Sequence, residues 1–124
     1  MDLMSKPGME DAHFKSLVVW LILSGKTEKA LELLADTYHV TVPKLEVGLP
    51  KRHKIKALGC YTARAQTISV LNADTLCNPF VVIHEFYHHV RCKGVDRMHR
   101  GTERNADRFA LDFIKQYQLS AEKY

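Results

Sequence analysis

The reading turns on Asn78-Pro79-Phe80-Val81-Val82-Ile83-His84-Glu85-Phe86-Tyr87-His88-His89-Val90-Arg91. Asn caps helices and proline is favoured in a first helical turn, so a helix is predicted from here to about Arg91. Phe80, Val81, Val82, Ile83, Phe86, Tyr87 and Val90 make it apolar on most sides, which predicts a helix buried at the centre of the domain. A buried helix cannot carry His84, Glu85, His88 and His89 without partners, because unpaired polar groups are costly in a core.

Two histidines at i and i+4 stand one above the other on a single helical face. His84 and His88 can therefore reach one metal ion. Zinc takes imidazole nitrogen at roughly 2.0–2.1 Å, and catalytic sites typically combine three protein ligands with an open position. Glu85 lies about a quarter turn away, beside that position, where a carboxylate can serve as general base toward metal-activated water. The alternative is a polar helix face with ordinary histidines, and the apolar flank Val81-Val82-Ile83 speaks against it.

The third ligand must come from elsewhere. Thr102 can cap a further helix, reaching about Tyr117, that carries Glu103 near its start and Asp107 one turn on. Ala106 and Ala110 are small enough to let this helix approach the first closely. Glu103 is then the expected ligand, with Asp107 an acceptor for the outer N–H of a ligating histidine. His99, or Asp107 itself, are rivals for the third position, and ordinary surface carboxylates in a first helical turn are the bland alternative. The longer pattern HExxHxxGxxH is excluded, because Arg91 and Gly94 stand where it needs glycine and histidine.

His84-Glu85-Phe86-Tyr87-His88 followed by Glu103-Arg104-Asn105-Ala106-Asp107 resembles the gluzincin metallopeptidases. The short loop and small chain look most like their minimal soluble members, the minigluzincins, and less like the IrrE-like peptidases. The resemblance covers roughly residues 66 to 114. It implies zinc on His84, His88 and Glu103, with Asp107 supporting a histidine and Glu85 as base in peptide hydrolysis. It also implies an edge strand above the cleft, for which Gln66 to Val70 stands in the right order. Larger gluzincins steady the oxyanion with a histidine or tyrosine from a later domain. Almost nothing follows the Glu103 helix here, and Tyr61, Tyr87 and His99 are the conceivable substitutes.

Working outward, Met9 to Leu23 has helical apolar spacing, Ser24-Gly25 interrupts it, and Thr27 can cap a second helix. Gly25-Lys26-Thr27 is not a phosphate loop, since Trp20 stands where that motif needs glycine. Val40-Thr41-Val42 and Leu45-Glu46-Val47 are β-prone and split by Pro43, as suits an edge or a bulge. Ile55 to Tyr61 and Arg64 to Leu71 read as two strands joined by a turn near Tyr61-Thr62-Ala63. Thr67-Ile68-Ser69-Val70 alternates as a half-buried strand does. The expected fold is α+β, zincin-like: a small, mostly antiparallel sheet packed on the HExxH and glutamate-bearing helices.

The chain has 124 residues, 46% hydrophobic and 26% charged, which fits one soluble domain over residues 1–124 with no need of a metal for folding. The longest apolar run, Leu17 to Leu23, is far short of the roughly 20 residues that cross a bilayer, so no membrane partner and a cytoplasmic location are expected. Cys60, Cys77 and Cys92 lack metal or disulfide spacing and are read as reduced thiols. The net charge is +4, and the densest cluster is Lys51-Arg52-His53-Lys54-Ile55-Lys56. No aromatic residue is interleaved there, so nucleic acid is disfavoured. The expected partner is a peptide or protein substrate, and a homo-oligomer stays open. Within the zinc class the rival is a DNA-associated peptidase of the SprT type with His99 as ligand. Outside it, the rival is a regulatory module whose site is latent.

Overall fold

The computed structural model describes residues 9–50, 57–93 and 102–122, so His99 and the basic cluster at 51–56 lie outside the described residues. Helix α1, Met9–Leu23, is apolar nearly all round and buries Val18, Val19, Leu21 and Ile22. It stops at Gly25, whose positive φ of 83° lets its N–H reach the Ile22 carbonyl while Lys26 N–H reaches that of Leu21. That pair of bonds closes a helix end, and only glycine takes this backbone without strain. Helix α2, Thr27–Tyr38, follows and buries Ala30, Leu31, Leu34 and Ala35. Thr27 does not cap it. Its hydroxyl donates instead to the Leu76 carbonyl at 2.8 Å, a tertiary acceptor that outcompetes the local one.

The sheet has three strands, β1 (Lys44–Val47), β2 (Gly59–Thr62) and β3 (Thr67–Val70), in the order β1-β3-β2. It is mixed rather than mostly antiparallel: β1 runs parallel to β3, and β2 antiparallel to it. Residues 40–43 stay out of the ladder, and β3 begins at Thr67 rather than Arg64 because the turn occupies residues 63–66, with Gln66 at a positive φ of 50°. Strand β2 begins at Gly59 and runs on to Thr62, while residues 55 and 56 of the expected strand lie outside the described residues. Ile68 and Val70 alternate with Thr67 and Ser69 as expected, yet all four are buried, because β3 is central with a neighbour on each side. This position overturns the expectation that Gln66 to Val70 offers a free edge. Among the described residues, β2 pairs on one side only and is the strand beside the HExxH helix with an open edge.

Three helices complete the chain: α3 (Ala73–Leu76), α4 (Pro79–Lys93) and α5 (Thr102–Glu122). The short α3, unforeseen from the sequence, is capped by the Asn72 side chain, which accepts from Thr75 N–H at 2.9 Å. Asn78 does the same for α4 through Val81 N–H at 3.3 Å. Helix α4 lies between the sheet and α5, and α1 packs chiefly on α5 while also touching α2 and α4. Phe14, Tyr38, Phe86, Phe109 and Phe113 link these layers through ring contacts of 5.0 to 6.5 Å. Lys15 ties α1 to Asp112 of α5, and Ser16 donates to the Gln116 carbonyl at 3.0 Å. The free end of α5 that bears Glu103 is thereby aimed at the middle of α4. Among the described residues, no helix is long and apolar enough to cross a membrane.

Candidate metal centre

The 3.6-residue repeat gives α4 two working faces. His84 and His88 look toward α5, with side chains 12% and 17% exposed. Glu85 and His89, also one turn apart, look toward β2 and are buried. Ala106 and Ala110, both fully buried, share a stripe of α5 with Glu103 and Asp107.

Four donor atoms from three residues converge. Glu103 places Oε1 3.1 Å from His84 Nε2 and Oε2 3.0 Å from His88 Nε2, and the two nitrogens are 3.3 Å apart. Tetrahedral ligands at the usual zinc–nitrogen distance stand about 3.3 Å from one another. Each of the three spacings is therefore near that of neighbouring ligands in a tetrahedral site, with Glu103 turning one oxygen to each histidine. Two imidazole nitrogens and a carboxylate also make a donor set that suits zinc. A carboxylate oxygen of Glu85 and the two imidazole nitrogens lie within 4.8 Å of one another. The Glu103 side chain is 76% exposed, so the cluster opens to solvent.

Asp107 Oδ1 is 2.9 Å from Nδ1 of His84. The contact has the distance of an ion pair without the direction of a hydrogen bond, and this buried nitrogen has no other acceptor. A carboxylate at that place favours a proton on Nδ1 and frees Nε2 for a metal. Burial, with His84 adding to it and Glu103 opposing, holds His88 below the usual histidine range and favours the neutral, ligating ring. Burial, reinforced by the negative charge of Glu103, pushes the Glu85 carboxyl up to about 8.

The other face is structural. His89 is fully buried, with Nε2 2.7 Å from the Thr41 carbonyl and Nδ1 2.6 Å from the Tyr61 hydroxyl. Burial, with the Cys92 sulfur adding, pushes the Tyr61 phenol up to about 12, so it keeps its proton and has one to give to a neutral His89. The Tyr61 hydroxyl, a conceivable oxyanion donor from the sequence, lies against His89. The Tyr87 ring packs edge-on against His88 and against Phe109 at 5.2 Å. His99 lies outside the described residues. The three cysteines are free thiols, each partly buried.

Gly59 went unnoticed in the sequence. A Cβ there would stand 2.7 Å from Val81 Cγ1 and 3.2 Å from the Ser69 carbonyl. Its absence lets β2 lie directly against the turn of α4 that carries Glu85. An isolated glycine inside a strand pattern is the signal for such an approach. No known protein family, curated protein or solved structure matches the chain, so the reading of this site rests on its own geometry.

Proposed function

We propose that this chain is a zinc-dependent endopeptidase of gluzincin type that hydrolyses peptide bonds. The observation that supports the reading is the convergence of His84 Nε2, His88 Nε2 and the Glu103 carboxylate, whose two oxygens stand 3.1 and 3.0 Å from the respective nitrogens, themselves 3.3 Å apart. His84, His88 and Glu103 would hold the ion, and Asp107 would orient His84. Bound zinc supplies Lewis-acid chemistry, polarising a carbonyl and lowering the pKa of water. Glu85 accepts the proton of the attacking water on its carboxylate and delivers it to the leaving amine nitrogen.

The substrate would lie along β2. Leu71 N–H bonds the Leu58 carbonyl, which makes 58 and 71 a hydrogen-bonded pair and, by alternation, turns the main-chain groups of Gly59 and Tyr61 away from β3. An extended peptide can add to that edge by main-chain hydrogen bonds. Glu103 already spans both histidines, which disfavours the SprT-like alternative with His99 as ligand.

The test is metal content together with turnover. The purified chain should bind one zinc ion and cleave fluorescein-labelled casein; stripping with phenanthroline should abolish cleavage and added zinc restore it. Zinc binding without cleavage would leave the latent module as the better reading. DNA affinity that falls steeply with salt would favour the SprT type.

A further inference from the structure

We propose that Tyr61 and His89 form a positioning pair that fixes the open edge of β2 over the Glu85 turn of α4 and so sets how a peptide is presented to that carboxylate. The inference rests on the peptidase reading for its consequence, but not for its geometry.

Helix α4 and strand β2 run alongside one another with matched repeats. Four helical residues advance about 6 Å, and two strand residues about 6.8 Å. Gly59 accordingly meets the helix at Val81 and Glu85, and Tyr61 meets it one turn later at His89. The first contact only permits closeness, because glycine has no side chain to hold. The second contact does the holding.

Its direction follows from the partners. A carbonyl can only accept, so His89 Nε2 carries the hydrogen that goes to Thr41. In the neutral ring Nδ1 then has a lone pair for the Tyr61 hydroxyl. The rings also meet edge to face at 5.3 Å. Thr41 precedes β1, and its own hydroxyl donates to the Gln66 side chain at 2.8 Å, just before β3. One buried imidazole thus anchors the open-edge strand and the approach to the opposite strand on the helix that carries His84 and His88. Tyr61 serves twice, since its side chain anchors β2 while its main chain faces the open edge.

The pair can be separated chemically. Tyr61→Phe keeps the ring and loses the hydroxyl. His89→Gln keeps an N–H that reaches the Thr41 carbonyl and moves its acceptor, the amide oxygen, off the place of Nδ1, which breaks the bond from Tyr61. Each should retain one zinc ion per chain and kcat on fluorescein-labelled casein, while KM rises about tenfold, the size of one lost hydrogen bond. The double variant should be no worse than either single one, because both remove the same bond. Multiplying effects, an unchanged KM in Tyr61→Phe, or loss of zinc would each overturn the proposal. Hydrogen exchange separates its failure from that of the peptidase reading. Even in a chain that cleaves nothing, Tyr61→Phe should speed exchange of the Cys60 and Thr62 amides about tenfold and leave that of Phe113 unchanged. Equal exchange at Cys60 and Thr62 in both proteins refutes the anchor whatever the activity.

Discussion

Glu85→Gln should keep one zinc ion per chain and lose casein hydrolysis by about two to four orders of magnitude, the usual worth of a general base. The substitution is nearly isosteric, so the packing of this buried side chain against β2 survives. What changes is proton chemistry, since an amide oxygen cannot take and return a proton as a carboxylate does. The two His84 and His88 nitrogens do not depend on Glu85 for their mutual distance of 3.3 Å, and Glu103 reaches both of them. Metal content and turnover should therefore part company. Zinc by atomic absorption and initial rates on the same preparation decide the matter. Unchanged turnover would rule out the assigned base, and lost zinc would make Glu85 a ligand.

Glu103→Ala should strip the metal or weaken its binding severely, because it removes one of the three proposed protein ligands. Asp107→Ala should weaken binding about 10- to 100-fold, the usual cost of losing a partner that orients a ligand. His99→Ala should leave affinity nearly unchanged. The order follows from geometry: Glu103 contacts both Nε2 atoms, whereas Asp107 stands at the outer nitrogen of His84. One competitive zinc titration across the three variants is enough. If His99 proved essential and Glu103 dispensable, the SprT-like reading would replace this one. Loss of metal with Asp107→Ala alone would make that aspartate the ligand.

The convergence of these groups was largely legible in the sequence because it is local. His84 and His88 share a helical face by periodicity alone, and so do Glu103, Ala106, Asp107 and Ala110 on the next helix. The apolar spacing likewise marked Met9–Leu23, and Asn78-Pro79 marked the start of α4. The sheet was less legible, since strand order is a tertiary property. Nothing in Leu45-Glu46-Val47 says that β3 will slip in beside it in parallel, displacing β2 to the edge. Thr27 was misread for a similar reason: its partner, the Leu76 carbonyl, lies 49 residues away. His89 looked like one more polar residue in an apolar helix until Tyr61 and Thr41 were found on either side of it.

The mixed sheet also has an entropic consequence. Pairing β2 with β3 closes a loop of four residues (63–66), whereas pairing β1 with β3 closes nineteen (48–66). On the logarithmic law of loop closure the second costs about 1.4 kcal/mol more in chain entropy. We infer that β1 is the strand that opens first, leaving the hairpin of β2 and β3 seated on α4. The Lys44 and Gly48 amides, bonded to the Gln66 and Val70 carbonyls, should then exchange with solvent faster than those of Cys60 and Thr62, and the reverse order would refute this. Breathing of the sheet would thus begin on the side away from His84 and His88, with His89 still joining Tyr61 to Thr41 ahead of β1.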